Sequence, residues 1–101
     1  MQDRVSFKGF VSRADKINLY ANALAVYNGA YEEDYGYVTL EAFFSSKAVI
    51  THTDSGGPLE FVRNIENGFI TEPSAEAICS VLSNLTTAQA QRMGQSGRQL
   101  M

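Results

Sequence analysis

The sequence predicts an α/β fold in which a parallel sheet carries helices on its faces. Short apolar segments alternate with helix-forming segments at regular spacing, about four of each, and such an alternation requires crossover connections between parallel strands. The composition is 45% hydrophobic and 19% charged over 101 residues, which is typical of a globular chain rather than a disordered one. A chain of this length forms a single domain with a modest core.

The first half of the chain contains two predicted strands and one predicted helix. Ser12 and Asp15 have the spacing of a capping box, which satisfies backbone N–H groups at a helix start. The predicted elements are a strand over residues 5–11, a helix over 15–23, a buried strand over 24–27 and a turn at 28–29.

The second half begins with a predicted helix over residues 35–46, which we expect to direct Val38, Leu40, Ala42 and Phe43 toward the core. Ser74 is a predicted helix cap, and Thr86 with Gln89 forms a second capping box. The other predicted elements are a strand at 48–51, a flexible polar loop at 51–57, a short helix from 58, a strand at 68–71 and helices following residues 74 and 86.

Charge and cysteine content exclude little. The net charge of −3 and the pI near 5.0 give no electrostatic reason to expect nucleic acid or an anionic membrane as a partner. The single cysteine, Cys79, cannot form an internal disulfide, and its apolar surroundings predict a small buried side chain. No signal peptide or membrane span is evident, so we expect a cytoplasmic protein.

Ligands of parallel sheets bind beyond the carboxyl ends of the strands. Gly36, Tyr37, Val38 and Thr39 form the predicted first turn of a helix there, and their backbone N–H groups form a potential phosphate site. The segment 55–58 (SGGP) would present a second anion site at another helix start.

Two glutamates flank this predicted anion site. Glu41 lies about five residues into the helix, ~8 Å from its start, where a carboxylate can accept hydrogen bonds from the paired hydroxyls of a ribose. Glu33, in the preceding loop, would face the opposite end of the ligand. An alternative interpretation is that the acids 32–34 are solvated residues that the helix dipole favours. We expect no metal there, because adjacent side chains diverge.

Other residues with chemical potential have plainer interpretations. His52 is the only histidine, and its place at a strand end favours a hydrogen-bonded structural role over a catalytic base. Tyr35 and Tyr37 could form a platform for a sugar, although packing is the alternative for at least one of them.

Several of these motifs, taken in order, resemble a known family. The segments EDYGYVTLEA, KAVIT, DSGGPLEFV and NGFI are similar to the C-terminal domain of retaining glycosyltransferases of family 4, the group 1 transferases. The hallmark of that family is two glutamates separated by seven residues, and Glu33 and Glu41 have this spacing, with Gly36 and Ala42 also in place. The resemblance extends over essentially the whole chain.

The resemblance implies a function and a set of roles. The chain would be a single partial domain, residues 1–101, of the two-domain GT-B architecture, in which two Rossmann-like domains face a cleft. It would bind a nucleoside diphosphate sugar as donor, in a full-length hexosyl-type enzyme that uses no metal or cofactor.

By the family's motif, Glu33 would contact the transferred sugar and act as the catalytic residue, and Glu41 would bind the ribose. The backbone of residues 36–39 would hold phosphate and sugar oxygens, and Phe10 and Ser12 would lie near the base.

Two departures from the family pattern stand out. Ser46 and Ala48 occupy the places of a usual Gly-x-Pro, which indicates a change in loop geometry. The acceptor domain and a basic pair that grips the diphosphate would lie upstream, so the chain is interpreted as a fragment, inactive alone and prone to self-association through an exposed sheet edge. The alternative class is a non-catalytic flavodoxin-like binding module, which needs no glutamate pair.

Overall fold

The computed structural model describes residues 8–9, 11–29, 31 and 37–101. Within these residues the chain alternates helices and strands as predicted. The elements in order are α1 (Arg13–Asn22), β1 (Ala25–Tyr27), α2 (Tyr37–Phe44), β2 (Ala48–His52), a 3-10 helix (Gly57–Glu60), β3 (Gly68–Thr71), α3 (Ala75–Asn84) and α4 (Thr87–Leu100).

The described strands form one sheet in the order β1-β2-β3, and both pairings are parallel. Ala25 lies opposite Ala48, and Ile50 lies opposite Phe69. The α/β class with a Rossmann-like parallel sheet is therefore confirmed. The strand predicted over residues 5–11 falls mostly outside the described part of the chain, and Lys8, Gly9 and Val11, which are described, form no strand.

The core is centred on β2, whose five residues are all buried. Phe43 of α2 and Met93 of α4 are among the largest fully buried side chains, and complete burial of one such side chain contributes about 1.5–3 kcal/mol. Helix α4 approaches closely because it carries glycines at the contact. A Cβ at Gly97 would collide with the Phe43 ring, and one at Gly94 would collide with the carbonyl oxygen of Ser46.

The core face of α2 differs in part from the predicted one. Ala42 and Phe43 are buried as predicted, whereas Val38 and Leu40 are only half-buried and Thr39 is buried instead. Positions 39, 42 and 43 have the i, i+3, i+4 spacing of a single helix face, so a core face built on 42 and 43 includes 39.

Side-chain caps fix the starts of three helices, as the sequence predicts. The hydroxyls of Ser12, Ser74 and Thr86 accept hydrogen bonds from backbone N–H groups three residues later, at 3.1, 3.2 and 3.1 Å. Each cap satisfies a donor that the helix leaves without an acceptor.

Two burial predictions are wrong. Strand β1 is not buried: Tyr27 is 53% exposed and the preceding Leu24 is 46% exposed, because β1 lies at an edge of the described sheet. Cys79 is exposed, because α3 turns Ala77, Ile78 and Val81 inward and places the thiol on its other face.

The loop after β2, predicted to be flexible, is instead folded around the buried side chain of Ser55. The Ser55 hydroxyl accepts a hydrogen bond from the His52 N–H at 3.1 Å, and the Ser55 N–H donates to the His52 carbonyl at 3.2 Å. No helix among the described residues is long and apolar enough to cross a membrane.

Ser46 stands where the family pattern usually has a glycine, and we expect this difference to affect the stability of the fold. Ser46 has φ +59°, a left-handed conformation that costs a non-glycine residue roughly 1–2 kcal/mol. Ser46→Gly removes that cost but adds the backbone entropy of glycine, so we expect a net stabilisation of about 0.5–1 kcal/mol in urea denaturation.

The neighbouring Ser45 serves as the matched control, because its φ is not positive. Ser45→Gly should lose about 0.5–1 kcal/mol. Equal changes in the free energy of unfolding for Ser46→Gly and Ser45→Gly would contradict the view that the left-handed conformation of Ser46 is strained.

We also expect the chain to self-associate. Ile17, Leu19 and Leu24 expose apolar surface around α1 and the β1 edge, and an open strand edge recruits other chains. Light scattering should show a molar mass that rises with concentration, and a lysine at the edge, Leu24→Lys, should reduce that rise. Leu82→Lys on α3 is the control, because Leu82 is also exposed but lies on another element. A constant monomer mass across a wide concentration range would contradict the expectation.

Candidate functional site

The candidate site lies at the carboxyl edge of the sheet. Strands β1, β2 and β3 end at Tyr27, His52 and Thr71, and their parallel pairing places all three ends at the same edge. The next described elements along the chain are α2 after β1, the 3-10 helix after β2 and α3 after β3. A ligand bound beyond this edge would therefore meet the start of α2.

The start of α2 is tied to the end of β1. Asn28, immediately after β1, donates its backbone N–H to Ile50 at 2.8 Å, and its side-chain amide lies 3.4 Å from the Thr39 hydroxyl. Both Asn28 and Thr39 are buried, so this contact fixes the first turn of α2 against the sheet. Tyr37 begins the helix and is 65% exposed, and Val38 is half-buried.

Glu41 projects from α2 toward α1, where it forms an ion pair with Lys16 at 2.5 Å. The two side chains are 40% and 48% exposed, respectively, so the pair is accessible to solvent and to a ligand. The hydrogen bond to Glu41 raises the pKa of Lys16 above its ordinary value, although burial opposes the rise. Burial raises the pKa of Tyr20, and the nearby charge of Glu41 adds to that shift.

These residues line an open groove between α1 and α2 with a volume of about 510 Å³. Its lining combines charged side chains with an apolar floor and consists of Arg13, Lys16, Ile17, Tyr20, Glu41, Phe44 and Ser45. A carboxylate has about four acceptor positions, so Glu41 can accept hydrogen bonds from ligand hydroxyls while it retains Lys16. The groove is thus suited to a polar ligand that carries hydroxyls and a flat apolar part.

Several sequence-predicted site residues can be compared with this groove. Glu41 lies in it, and Ser12 caps the helix that forms one wall, with its hydroxyl bonded to the Asp15 N–H. Glu33, Gly36 and Phe10, like Tyr35 and the acids 32–34, lie outside the described residues. In the part of the chain that is described, no group of three or more His, Cys, Asp or Glu side chains could hold a metal ion.

The second predicted anion site, at residues 55–58, is not supported. The helix there is a 3-10 helix of four residues, and its first two residues, Gly57 and Pro58, are buried. Gly56, just before it, has φ +77°, a backbone conformation that favours glycine.

Sequence reasoning missed the contribution of α1. Lys16 and Tyr20 are spaced i, i+4 and share one helix face, a signal that could have indicated a mixed polar and aromatic surface. The interpretation of His52 as a hydrogen-bonded structural residue is confirmed. It is 4% exposed and both ring nitrogens contact hydroxyls, those of Tyr27 at 2.6 Å and Thr71 at 3.1 Å.

Comparison with known proteins identifies the family of the chain. The sequence model of the family described as glycosyl transferases group 1 matches residues 1–100, and the chain belongs to this family. A search of curated proteins finds no match.

Solved structures give further matches. Sucrose-phosphate synthase from Thermosynechococcus elongatus is 29% identical with a TM-score of 0.80, over 96% of this chain and 25% of that one. HepE from Anabaena, solved in complex with UDP, is 28% identical with a TM-score of 0.78, over 98% and 28% of the two chains. The C-terminal domain of the group 1 protein LpcC from Francisella tularensis is 27% identical with a TM-score of 0.71, over 93% and 50%. The chain therefore spans about a quarter of the length of the first two proteins.

The Lys16–Glu41 pair should have a characteristic dependence on pH and salt. Because folding raises the pKa of Lys16, the stabilisation it provides is complete below the ordinary value of 10.5 and is lost as pH rises through the folded-state pKa. We expect Lys16→Met to be less stable than the wild type at pH 7 in low salt, with the difference small because the pair is exposed. The difference should shrink in 1 M salt, where the screening length is about 3 Å, and above the Lys16 pKa.

Urea denaturation of both proteins measures this difference. Lys47→Met is the control, since Lys47 forms no ion pair with a described residue. A difference between wild type and Lys16→Met that is insensitive to both salt and alkaline pH would show that the ion pair does not contribute.

Proposed function

We propose that the chain is the donor-binding part of a retaining, hexosyl-type glycosyltransferase. Such an enzyme moves a sugar from a nucleoside diphosphate to an acceptor hydroxyl with the anomeric configuration kept. The observation that carries the proposal is the position of Glu41, in an accessible groove between α1 and α2 and eight positions after Glu33. Membership of the group 1 family supports it, as do the similar HepE structures in complex with UDP and with UDP-glucose.

The proposed roles follow the geometry of the groove and the order of the sequence. Glu41 accepts hydrogen bonds from the ribose hydroxyls, and the backbone of residues 36–39 at the start of α2 holds diphosphate and sugar oxygens. Glu33 contacts the transferred sugar close to the reacting carbon. Phe10 and Ser12 contact the base of the nucleotide; Ser12 is the residue that caps α1.

Lys16 gives this arrangement an electrostatic advantage. A carboxylate repels a nearby diphosphate, and two unit charges 4 Å apart interact by about 1 kcal/mol in water and more in a partly buried site. The ammonium of Lys16 offsets the charge of Glu41 without displacing it, and Arg13 adds a second positive charge to the same groove. The groove can therefore take hydroxyls at Glu41 and still accept an anionic ligand.

The proposed catalysis depends mainly on positioning of the donor and on charge stabilisation of the leaving diphosphate. It uses no metal ion and no cofactor. The proposed partner is an N-terminal acceptor domain, which together with this chain would form the two-domain GT-B enzyme. Without that domain the chain would have no transferase activity. We place the enzyme in the cytoplasm.

The alternative, a non-catalytic flavodoxin-like binding module, explains the parallel sheet equally well. It gives no reason for the two glutamates at their family spacing, nor for the match to the group 1 family. Family membership therefore favours the transferase.

The two glutamates should separate by function in the full-length enzyme. Glu41→Ala removes a charged hydrogen-bond acceptor, so affinity for both the donor and free UDP should fall by ~1.5–3 kcal/mol, roughly tenfold to a hundredfold. Glu33→Ala should leave UDP affinity unchanged and lower turnover, because its contacts are to the transferred sugar. Calorimetry with UDP and turnover assays on each variant measure the two effects.

A matched control is Glu76→Ala, which removes an exposed carboxylate from the first turn of α3, away from the groove. It should change neither UDP affinity nor turnover. Equal loss of UDP affinity in Glu41→Ala and Glu33→Ala, or loss in neither, would refute the assignment of the pair.

A further inference from the structure

One residue from the end of each strand joins a row of hydrogen bonds across the carboxyl edge. The Tyr27 hydroxyl of β1 lies 2.6 Å from Nε2 of His52 in β2, and Nδ1 of His52 lies 3.1 Å from the Thr71 hydroxyl of β3. The Tyr27 and His52 rings meet edge to face, with centroids 5.4 Å apart. We call Tyr27, His52 and Thr71 the edge row.

The edge row has a defined direction. The Thr71 hydroxyl has two backbone carbonyls within hydrogen-bond distance, Glu72 at 3.1 Å and Thr51 at 3.4 Å. Because a hydroxyl has a single proton to donate, these acceptors favour an arrangement in which Thr71 donates to a carbonyl and accepts from His52. Nδ1 of the neutral imidazole must then carry the proton. Nε2 is consequently the acceptor, and it receives the Tyr27 O–H.

The edge row contacts the first residues of two loops. On the β2 side, the Thr53 N–H donates to the Thr71 carbonyl at 2.9 Å, and the Ser55 hydroxyl accepts a hydrogen bond from the His52 N–H. On the β1 side, Gly29 leaves room for the Tyr27 phenol, because a Cβ at Gly29 would collide with the Tyr27 hydroxyl. Displacement of Tyr27 would therefore disturb the starts of the loops after both β1 and β2.

We propose that the edge row is a positioning device that fixes the residues directly after β1 (Asn28 and Gly29) and after β2 (Thr53 to Ser55) relative to each other, and so contributes to the geometry of the donor site. His52, 4% exposed, acts through Tyr27 and Thr71 and does not touch the donor. The row and its direction stand on the contacts alone. The consequence for the donor rests on the proposed function.

The tautomer of His52 tests the direction of the row. His52 is the only histidine of the 101 residues, so its ring signals in nitrogen-15 NMR need no further assignment. In the neutral imidazole we expect a single Nδ1–H tautomer in the wild type and in Tyr27→Phe. Thr71→Val removes the acceptor and should shift the ring toward the Nε2–H tautomer. An Nε2–H ring in the wild type, or a tautomer insensitive to Thr71→Val, would overturn the direction.

Hydrogen exchange tests the positioning role. Tyr27→Phe, Thr71→Val and Gly29→Ala each break a different part of the row, and Gly29→Ala does so without removing any of its atoms. Each substitution should accelerate hydrogen exchange at the Asn28, Thr53 and Ser55 amides about fivefold, which is the effect expected when one neutral hydrogen bond is lost. Exchange at the amides of α4 should be unchanged.

Thr51→Val is the matched control, because Thr51 precedes His52 in β2 and its buried hydroxyl has no hydrogen-bond partner among the described residues. It should leave exchange at the loop amides unchanged. Uniform acceleration across the chain in the row variants would show a general loss of stability and overturn the positioning role.

UDP affinity then tests the link to the donor. Calorimetry should show an affinity about fivefold lower for Gly29→Ala and Thr71→Val and unchanged for Thr51→Val. Unchanged affinity in variants that do accelerate loop exchange would overturn the consequence for the donor. Absence of binding of UDP, ADP and GDP alike in the wild type would refute the proposed function alone, and the tautomer and exchange results would still decide the row.

Discussion

The parallel pairing of β2 with both β1 and β3 is the constraint on which the candidate site depends. All five residues of β2 are buried, so the strand has one register that keeps its apolar side chains inside and its hydrogen bonds formed. This register brings Tyr27, His52 and Thr71 to one edge. It also brings the start of α2 to that edge, because α2 must cross from the end of β1 to the beginning of β2.

The groove lies between α1 and α2, which meet at the Lys16–Glu41 ion pair. Helix α1 buries none of its side chains, and half-buried Tyr20 packs against the apolar core. The remaining surface of α1 is left to contact α2, and Lys16 meets Glu41 there. The ion pair is too exposed to stabilise the fold appreciably. Its effect is on the charge of the groove, where it makes a carboxylate compatible with an anionic ligand.

Much of the fold could be predicted from local signals. Ser12, Ser74 and Thr86 act as caps because a hydroxyl before a helix satisfies orphan N–H groups wherever the helix lies. The exposure of β1 and Cys79 could not be predicted from local hydrophobicity, because the exposure of a residue depends on which other elements cover it. The folded turn at Ser55 was missed for a similar reason, since its hydrogen bonds to His52 exist only once β2 is in place.

The site was predictable in part. The seven-residue interval between Glu33 and Glu41 identifies the second glutamate, because family spacing is a property of the sequence. Lys16 comes from a helix more than twenty positions earlier, and no local pattern pairs it with Glu41. The edge row could not be predicted for a similar reason. Tyr27, His52 and Thr71 are far apart in the sequence and become neighbours only through the parallel register of the strands.

The most direct test of the account is a comparison of UDP with its 2′,3′-dideoxy analogue by calorimetry, on the wild type and on Glu41→Gln. If Glu41 holds the ribose hydroxyls, the wild type should bind UDP roughly tenfold to a hundredfold more tightly than the analogue, the loss expected for a charged hydrogen bond. Glu41→Gln should discriminate between the two far less. Equal discrimination by the two proteins would contradict the account, because it would place the ribose away from Glu41.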